Sequence, residues 1–180
     1  SIFIKGKFMK IGIIGKMCSG KTTLAQEICR LDNRHDVYSF GTGVKEIAYK
    51  YFNMENKDRS LLVNIGTKFR EINEDIWIDY SLNNIKNINY CVIDDIRHQN
   101  ELDKLINLDF TIIKLHITKQ EQIKRLQKVY SNSDDHIKNI NDKTETCDFI
   151  FPKKIKIINI NYSDDIHHVN QKIHSLLQKN

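Results

Sequence analysis

The sequence predicts an α/β protein built on a doubly wound parallel sheet. Short apolar runs rich in β-branched residues alternate with amphipathic helical segments along the 180 residues, and this alternation is typical of parallel sheets covered by helices. A chain of this length fits one domain with a core of its own. We therefore assign residues 9–180 to a single domain and residues 1–8 to an N-terminal extension or cloning remnant.

Hydrophobic periodicity predicts the individual elements. The predicted strands cover residues 10–14, 36–40, 90–95 and 109–117, with candidate edge segments at 147–151 and 156–160. The predicted helices cover residues 23–31, 44–52, 59–72, 74–84, 100–108, 119–129 and 162–177. Pro152 separates the two edge segments, because proline cannot donate to the ladder of a central strand.

A phosphate-binding loop is predicted at Gly15–Thr22, which fits the pattern G-x-x-x-x-G-K-S/T. A predicted strand precedes it and a helix follows it, so the pattern has the context in which backbone N–H groups wrap a polyphosphate. Lys21 is expected to reach the β- and γ-phosphates, and the Thr22 hydroxyl to hold Mg²⁺. A chance turn is the alternative, which the flanking elements disfavour. The predicted ATP-binding residues are Gly15, Lys16, Cys18, Ser19, Gly20, Lys21, Thr22 and Thr23.

Carboxylates and an arginine follow the third predicted strand. Asp94 and Asp95 close it, at the end of the sheet where ligands bind in doubly wound folds. Since successive strand side chains alternate, one carboxylate should face the cleft and reach Mg²⁺; a simple strand-end turn is the alternative. Arg97 leaves the same strand end and suits a bidentate clamp on a second phosphate, or an ordinary ion pair with Glu101.

Three further features are less specific when taken alone. Arg70 alone would be a solvated charge on a helix, and Trp77 is either a core residue or a wall on which a nucleobase stacks. The polar segment 130–136 follows a helix that carries Lys124, Arg125 and Lys128. It is either a plain surface loop or a lid that closes on ATP, with Arg125 as the charge donor.

Several classes of function are disfavoured. The net charge of +5 is spread among acidic residues, so no nucleic-acid arm is expected, and the apolar runs are too short to span a membrane. The four cysteines lie far apart, which suits reduced thiols in a cytoplasmic compartment. No N-K-x-D run is present, which argues against a GTP switch, and His136 lacks the partners of a metal site.

The ordered set of motifs resembles the deoxynucleoside monophosphate kinases of phages and large DNA viruses. The similar stretches lie between about Lys10 and Ile160 and comprise residues 15–23, 40–48, 58–62, 66–70, 75–77, 92–101 (with D-x-R-x-x-x-E), 134–136, 145 and 148–150. Dephospho-coenzyme A kinases share the outline. Two departures are the Gly41-Thr42-Gly43 turn, where family members often carry Ala-Asp-Pro, and Lys124 and Lys128, where a second lid arginine would stand.

The resemblance implies a P-loop NTPase fold with five strands in the order 2-3-1-4-5, helices on both faces and a small lid. It implies transfer of the γ-phosphoryl of Mg-ATP to a (deoxy)nucleoside monophosphate, with acceptor binding in a helical region at about 41–88 and a lid at about 125–146. Dephospho-coenzyme A kinase, or a non-enzymatic ATP-binding regulator, is the alternative. A homodimer is one arrangement that the resemblance allows, and for a viral protein the compartment would be the host cytoplasm.

The same resemblance, with the motif analysis, assigns roles to particular residues. The catalytic residues would be Lys21, Arg70, Arg97, Arg125 and Asp95. The acceptor would be bound by Phe40, Lys45, Arg70, Trp77, Asp95 and Arg97. Mg²⁺ would be held by Thr22 and Asp95, with Asp94 as the alternative carboxylate.

Overall fold

A five-stranded sheet forms the centre of the fold in a computed structural model of the chain. The structure describes residues 9–129, 148–153, 155, 157–161, 163–164 and 166–178. The strand order is β2-β3-β1-β4-β5, so the predicted order is confirmed. The strands are β1 Met9–Gly15, β2 Asp36–Tyr38, β3 Tyr90–Ile93, β4 Thr111–His116 and β5 Ile157–Asn161.

Helices connect these strands, as the alternating pattern predicted. They are α1 Lys21–Leu31, α2 Thr42–Phe52, α3 Arg59–Ile72, α4 Ile76–Ile85, α5 Gln99–Asn107, α6 Lys119–Val129 and α7 Ile166–Gln178. No helix in the described part of the chain is long and apolar enough to cross a membrane.

Strand β1 lies between β3 and β4 and runs parallel to both. Gly12 is in register with Ile93 on one side and with Ile112 on the other. Because the strands are parallel, the exits of β1 and β3 lie at the same edge of the sheet. That edge therefore brings Gly15 and the residues after Ile93 together, which is where the sequence predicted a ligand site.

Both faces of the sheet are covered, which confirms the doubly wound prediction. On one face, the β1 side chains Ile11 and Ile13 pack in a core with α1 and with Ile173 of α7. Gly12 faces the opposite side, where a Cβ atom would lie 3.4 Å from Leu105 of α5. Burial of these aliphatic side chains stabilises the sheet, at roughly 25 cal/mol per Å² of apolar surface.

The chain divides into two compact units: residues 1–37 with 89–180, here called the sheet unit, and residues 38–88, here called the helical unit. The helical unit contains α2, α3 and α4. Its core is formed by buried apolar side chains, namely Val44, Ala48, Met54, Ile65 and Trp77. It therefore has a hydrophobic cluster separate from the core of the sheet.

The edge segment predicted at 147–151 is not a strand where the structure describes it. Residues 148–152 have no regular structure. The side-chain amide of Gln99 instead bonds both backbone groups of Ile150, accepting from its N–H at 2.9 Å and donating to its carbonyl at 2.9 Å. A glutamine side chain thus takes the hydrogen bonds that a neighbouring strand would otherwise supply.

The boundaries of α2 and α4 also differ from prediction. Helix α2 begins at Thr42 rather than Val44, because the turn at Ser39 ends β2 early and includes Gly41 N–H, which donates to Ser39 Oγ. Gly43 is then part of the helix, where a Cβ would lie 3.0 Å from the Trp77 ring and 3.0 Å from the Tyr80 ring. Helix α4 begins at Ile76, after a turn in which Asn73 Oδ1 accepts from Asp75 N–H.

Candidate phosphate-binding site

The loop between β1 and α1 turns tightly before the helix begins. Gly20 has a φ of 97° and Cys18 a φ of 60°, both in the left-handed region that costs a side chain energy and glycine little. Gly15 has no room for a side chain, since a Cβ there would lie 2.5 Å from Ser19 Oγ. This conformation places the first N–H groups of α1 at the end of the loop, as in anion-binding loops.

The ammonium group of Lys21 lies against the loop. It donates to the carbonyl of Gly15 at 2.6 Å and to that of Lys16 at 2.9 Å. Ser19 N–H also donates to the Lys16 carbonyl, at 3.1 Å. The cation predicted to reach the phosphates is therefore part of the loop that would hold them.

Thr22 and Asp94 are in direct contact at the start of α1. The Thr22 hydroxyl donates to Asp94 Oδ2 at 2.8 Å. Burial raises the pKa of the Asp94 carboxyl, while the Thr22 hydrogen bond and the charge of Lys21 act in the opposite direction. Asp95 is the carboxylate predicted beside Thr22, but the structure brings Asp94 there, because the side chain of the first residue after β3 lies on the loop side.

These oxygens suit a magnesium ion. A hydroxyl and a carboxylate are the hard ligands that Mg²⁺ prefers, with water and substrate phosphates supplying the remainder. No group of three or more His, Cys, Asp and Glu side chains in the described part of the chain could hold a metal by itself. A site that draws ligands from Thr22, Asp94 and a bound nucleotide fits this arrangement.

Helix α6 contacts the loop through two side chains. Arg125 Nη1 donates to the Cys18 carbonyl at 2.8 Å, and Gln122 Nε2 donates to the Met17 carbonyl at 3.0 Å. Arg125 was predicted as a functional residue, whereas Gln122 was not. The signal available in the sequence is that Gln122 lies three residues before Arg125, because residues three apart share a helix face.

Arg97 follows β3 and is fixed through its backbone. The carboxylate of Glu101 is buried, and it accepts from Arg97 N–H at 2.7 Å and His98 N–H at 3.0 Å. It thereby closes the first turn of α5 by a capping box. The Arg97–Glu101 hydrogen bond is thus made through the Arg97 backbone, and Arg97 is exposed.

The remaining acceptor candidates lie in the helical unit. Trp77 is only 3% exposed, and its indole N–H donates to the Gly66 carbonyl at 3.1 Å. Its ring packs beside Phe69 with centroids 5.3 Å apart. Trp77 is therefore a core residue, the other interpretation that the sequence allowed, and Phe40 is equally buried at 2%.

Arg70 and Lys45 occupy more accessible positions of the helical unit. Arg70 Nη1 donates to the Gly66 carbonyl at 3.3 Å, and Lys45 is exposed on the first turns of α2. Of the predicted lid, Arg125 to Val129 belong to α6. Residues 130–146, including His136, lie outside the described residues.

The class of protein follows from the sheet order and the loop: this is the P-loop NTPase fold, in a kinase-like form. A family model described as "AAA domain" matches residues 11–147. Because this match covers most of the chain, the protein belongs to the AAA domain family. A search of curated protein sequences finds no match.

Solved structures share the fold at low sequence identity. A sugar kinase from a Janibacter species has a TM-score of 0.58 at 11% identity, covering 95% of this chain and 95% of that one. A shikimate kinase from Bacteroides thetaiotaomicron has a TM-score of 0.56 at 13% identity, covering 95% and 97%. A gluconokinase from Sinorhizobium meliloti has a TM-score of 0.51 at 12% identity, covering 96% and 93%.

Proposed function

We propose that this protein is a kinase that transfers the γ-phosphoryl group of Mg-ATP to a (deoxy)nucleoside monophosphate. The observation that carries the donor half of the proposal is the contact of Thr22 with Asp94 beside the loop and Lys21. Metal-binding oxygens, an ammonium group and a helix N-terminus at one place suit the triphosphate of a metal-bound nucleotide.

The acceptor half rests on the resemblance of the motifs. Arg97 is exposed at the end of β3, and Arg70 and Lys45 supply further positive charge in the helical unit. In this proposal these three residues hold the phosphate of the acceptor, and the helical region 41–88 binds the nucleoside. The burial of Trp77 and Phe40 gives them a supporting role in that region.

The chemistry needs no covalent enzyme intermediate. The acceptor's phosphate oxygen attacks the γ-phosphorus while the bond to the β-phosphate oxygen breaks, giving a nucleoside diphosphate and ADP. The chain's contribution is alignment and charge: Lys21 neutralises the β- and γ-phosphates and Arg97 orients the acceptor. Mg²⁺ on Thr22 and Asp94 would neutralise charge on the transferring group.

The test is ATP consumption by the full chain with each common ribo- and deoxyribonucleoside monophosphate as acceptor. Dephospho-coenzyme A, gluconate and shikimate are offered in parallel. We expect one or a few monophosphates to give turnover and the other acceptors to give only background. Turnover with dephospho-coenzyme A would assign the rival activity, and ATP binding without transfer to any acceptor would favour the regulator.

Arg97→Ala separates the acceptor role from the donor role. We expect the apparent KM of the monophosphate to rise about tenfold or more, because a charge-assisted hydrogen bond is lost, while the KM of ATP changes little. Lys104→Ala, an exposed change on the adjacent helix α5, is the control. A change in the ATP dependence alone would refute the acceptor assignment. Mass determination in solution tests whether the protein forms the homodimer that the resemblance allows.

A further inference from the structure

Four successive carbonyls of the phosphate loop accept hydrogen bonds from side chains. Those of Gly15 and Lys16 accept from Lys21, that of Met17 from Gln122, and that of Cys18 from Arg125. A loop that turns its N–H groups towards an anion must turn its carbonyls away from it. The side chains that donate to those carbonyls therefore determine how well the N–H groups are aligned.

The donors differ in what a bound phosphate does to them. Lys21 and Arg125 are cations, and a polyphosphate attracts both of them. Gln122 is neutral, so a polyphosphate attracts its amide less than it attracts the two cations. Its amide is thus the restraint that remains in place when the charged side chains turn to the ligand.

The burial of Gln122 indicates that this residue does more than fill space in the core. The residue is 0% exposed, and its Oε1 is buried with no hydrogen-bond partner among the described residues. A buried amide oxygen without a partner destabilises the fold, and an apolar side chain of the same shape would remove that cost while also losing the bond to the Met17 carbonyl. A position that served only to fill space would be filled better by methionine or leucine.

We propose that Gln122 is a positioning residue for the phosphate loop, which holds the Met17 carbonyl so that the loop's N–H groups stay aimed at the phosphates of the nucleotide. The proposal rests on the nucleotide-binding half of the proposed function and not on the identity of the acceptor. Gln122 acts through the Met17 backbone and touches no reacting atom.

The experiment compares Gln122→Met with Gln127→Met, a matched change at an exposed position of the same helix. Calorimetric titration measures the Kd of ATP and of inorganic tripolyphosphate, and thermal unfolding measures Tm. For Gln122→Met we expect both Kd values to rise about tenfold, the equivalent of one good hydrogen bond, with Tm unchanged or higher. Gln127→Met should change neither quantity.

Gln122→Glu keeps the shape but presents an acceptor to the carbonyl and adds negative charge. We expect its tripolyphosphate Kd to rise further, on the order of a hundredfold. A fall in Tm with unchanged Kd values in both variants would overturn the proposal, because it would show a purely structural role. A rise in the ATP Kd without a matching rise for tripolyphosphate would overturn it too.

Failure of the proposed function gives a different result. If the wild-type protein binds ATP but phosphorylates no monophosphate, the role of Gln122 is tested all the same. If the wild-type protein binds neither ATP nor tripolyphosphate, both the nucleotide site and this proposal are overturned.

Discussion

In the phosphate loop, carbonyls of consecutive residues bond to side chains from two helices, α1 and α6. In the helical unit, the single carbonyl of Gly66 accepts from Arg70 of its own helix and from Trp77 of the next. The first arrangement holds a non-repetitive backbone in a shape it would not keep alone. The second joins two helices that already satisfy most of their own backbone groups.

This difference shows where function depends on backbone and where on side chains. The binding groups proposed for the loop are N–H groups, so its binding of phosphate should survive changes that keep the backbone in place. In the helical unit the binding groups proposed are side chains on stable helices. Substitutions that remove a hydrogen bond to a loop carbonyl should therefore impair the loop. Substitutions that remove a single charge or a core side chain should impair the helical unit.

The largest expected effect is that of Lys21→Ala on the loop. Removing the ammonium group should lower kcat about a thousandfold, because charge on the transferring phosphoryl is no longer neutralised. Circular dichroism should show an intact fold, and Lys119→Ala, an exposed change at the start of α6, should retain activity. Near-full activity of Lys21→Ala in a coupled assay would contradict the assignment of the site.

The second-largest expected effect is the difference between substitutions of Asp94 and of Asp95. Asp94→Asn should lower kcat about a hundredfold and raise the Mg²⁺ concentration needed for half-maximal rate, because Asp94 is the residue in contact with Thr22. The matched variant Asp95→Asn should have a smaller effect on the Mg²⁺ requirement. The reverse order in a Mg²⁺ titration would restore Asp95 as the metal residue.

Trp77→Ala tests the helical unit through its core. Loss of this buried side chain should destabilise the protein by about 3–5 kcal/mol, seen as a lower midpoint in denaturant. In Trp77→Phe, measured well below its Tm, the monophosphate KM should be nearly unchanged. A raised KM with unchanged stability would instead show that the indole lines the nucleobase pocket.

The smallest expected effect is a pH dependence located in neither region. His35 is 2% exposed, and burial lowers its pKa, although the nearby Asp32 carboxylate opposes this. The unfolded chain binds the proton near its ordinary pKa of about 6.5, and the folded protein binds it only at lower pH. Stability should therefore fall as the pH drops below about 6.5, by at most about 1.4 kcal/mol per pH unit.

The control for His35 is a pair of variants measured at pH 7.5 and 5.5. His35→Phe should lose less stability on acidification than the wild type, because the titrating group is gone. His174→Phe, at an exposed position of α7, should behave as the wild type does. Equal losses in all three proteins would show that His35 does not contribute.

The sequence predicted the sheet and the phosphate loop because each has a local signal, whereas the strand order was implied by the family resemblance. β-branched runs mark β1 and β4, and the spacing of Gly15, Gly20 and Lys21 is that of a known backbone shape. Tertiary contacts have no such signal. No local pattern distinguishes Asp94 from Asp95. Nor does one show that Gln99 replaces a strand beside Ile150, or that Gln122 contacts the loop.

Trp77 shows a second limit of the sequence. An aromatic residue among isoleucines and acids suits a core and a base-binding wall equally well, and only packing decides between them. Trp77 is placed in the core by neighbours distant in sequence, chiefly the Gly66 carbonyl and the ring of Phe69.

Gly43 sets a limit on which sequences this helical unit can accept. Any Cβ at this position would approach the rings of Trp77 and Tyr80 to 3.0 Å, closer than carbon atoms pack without displacement. The proline that the resembling kinases often carry at the corresponding turn is thus incompatible with these two aromatic rings as packed here. In a saturation library, substitution at position 43 should be tolerated best when residues 77 and 80 both become smaller, because a Cβ at position 43 would approach both rings.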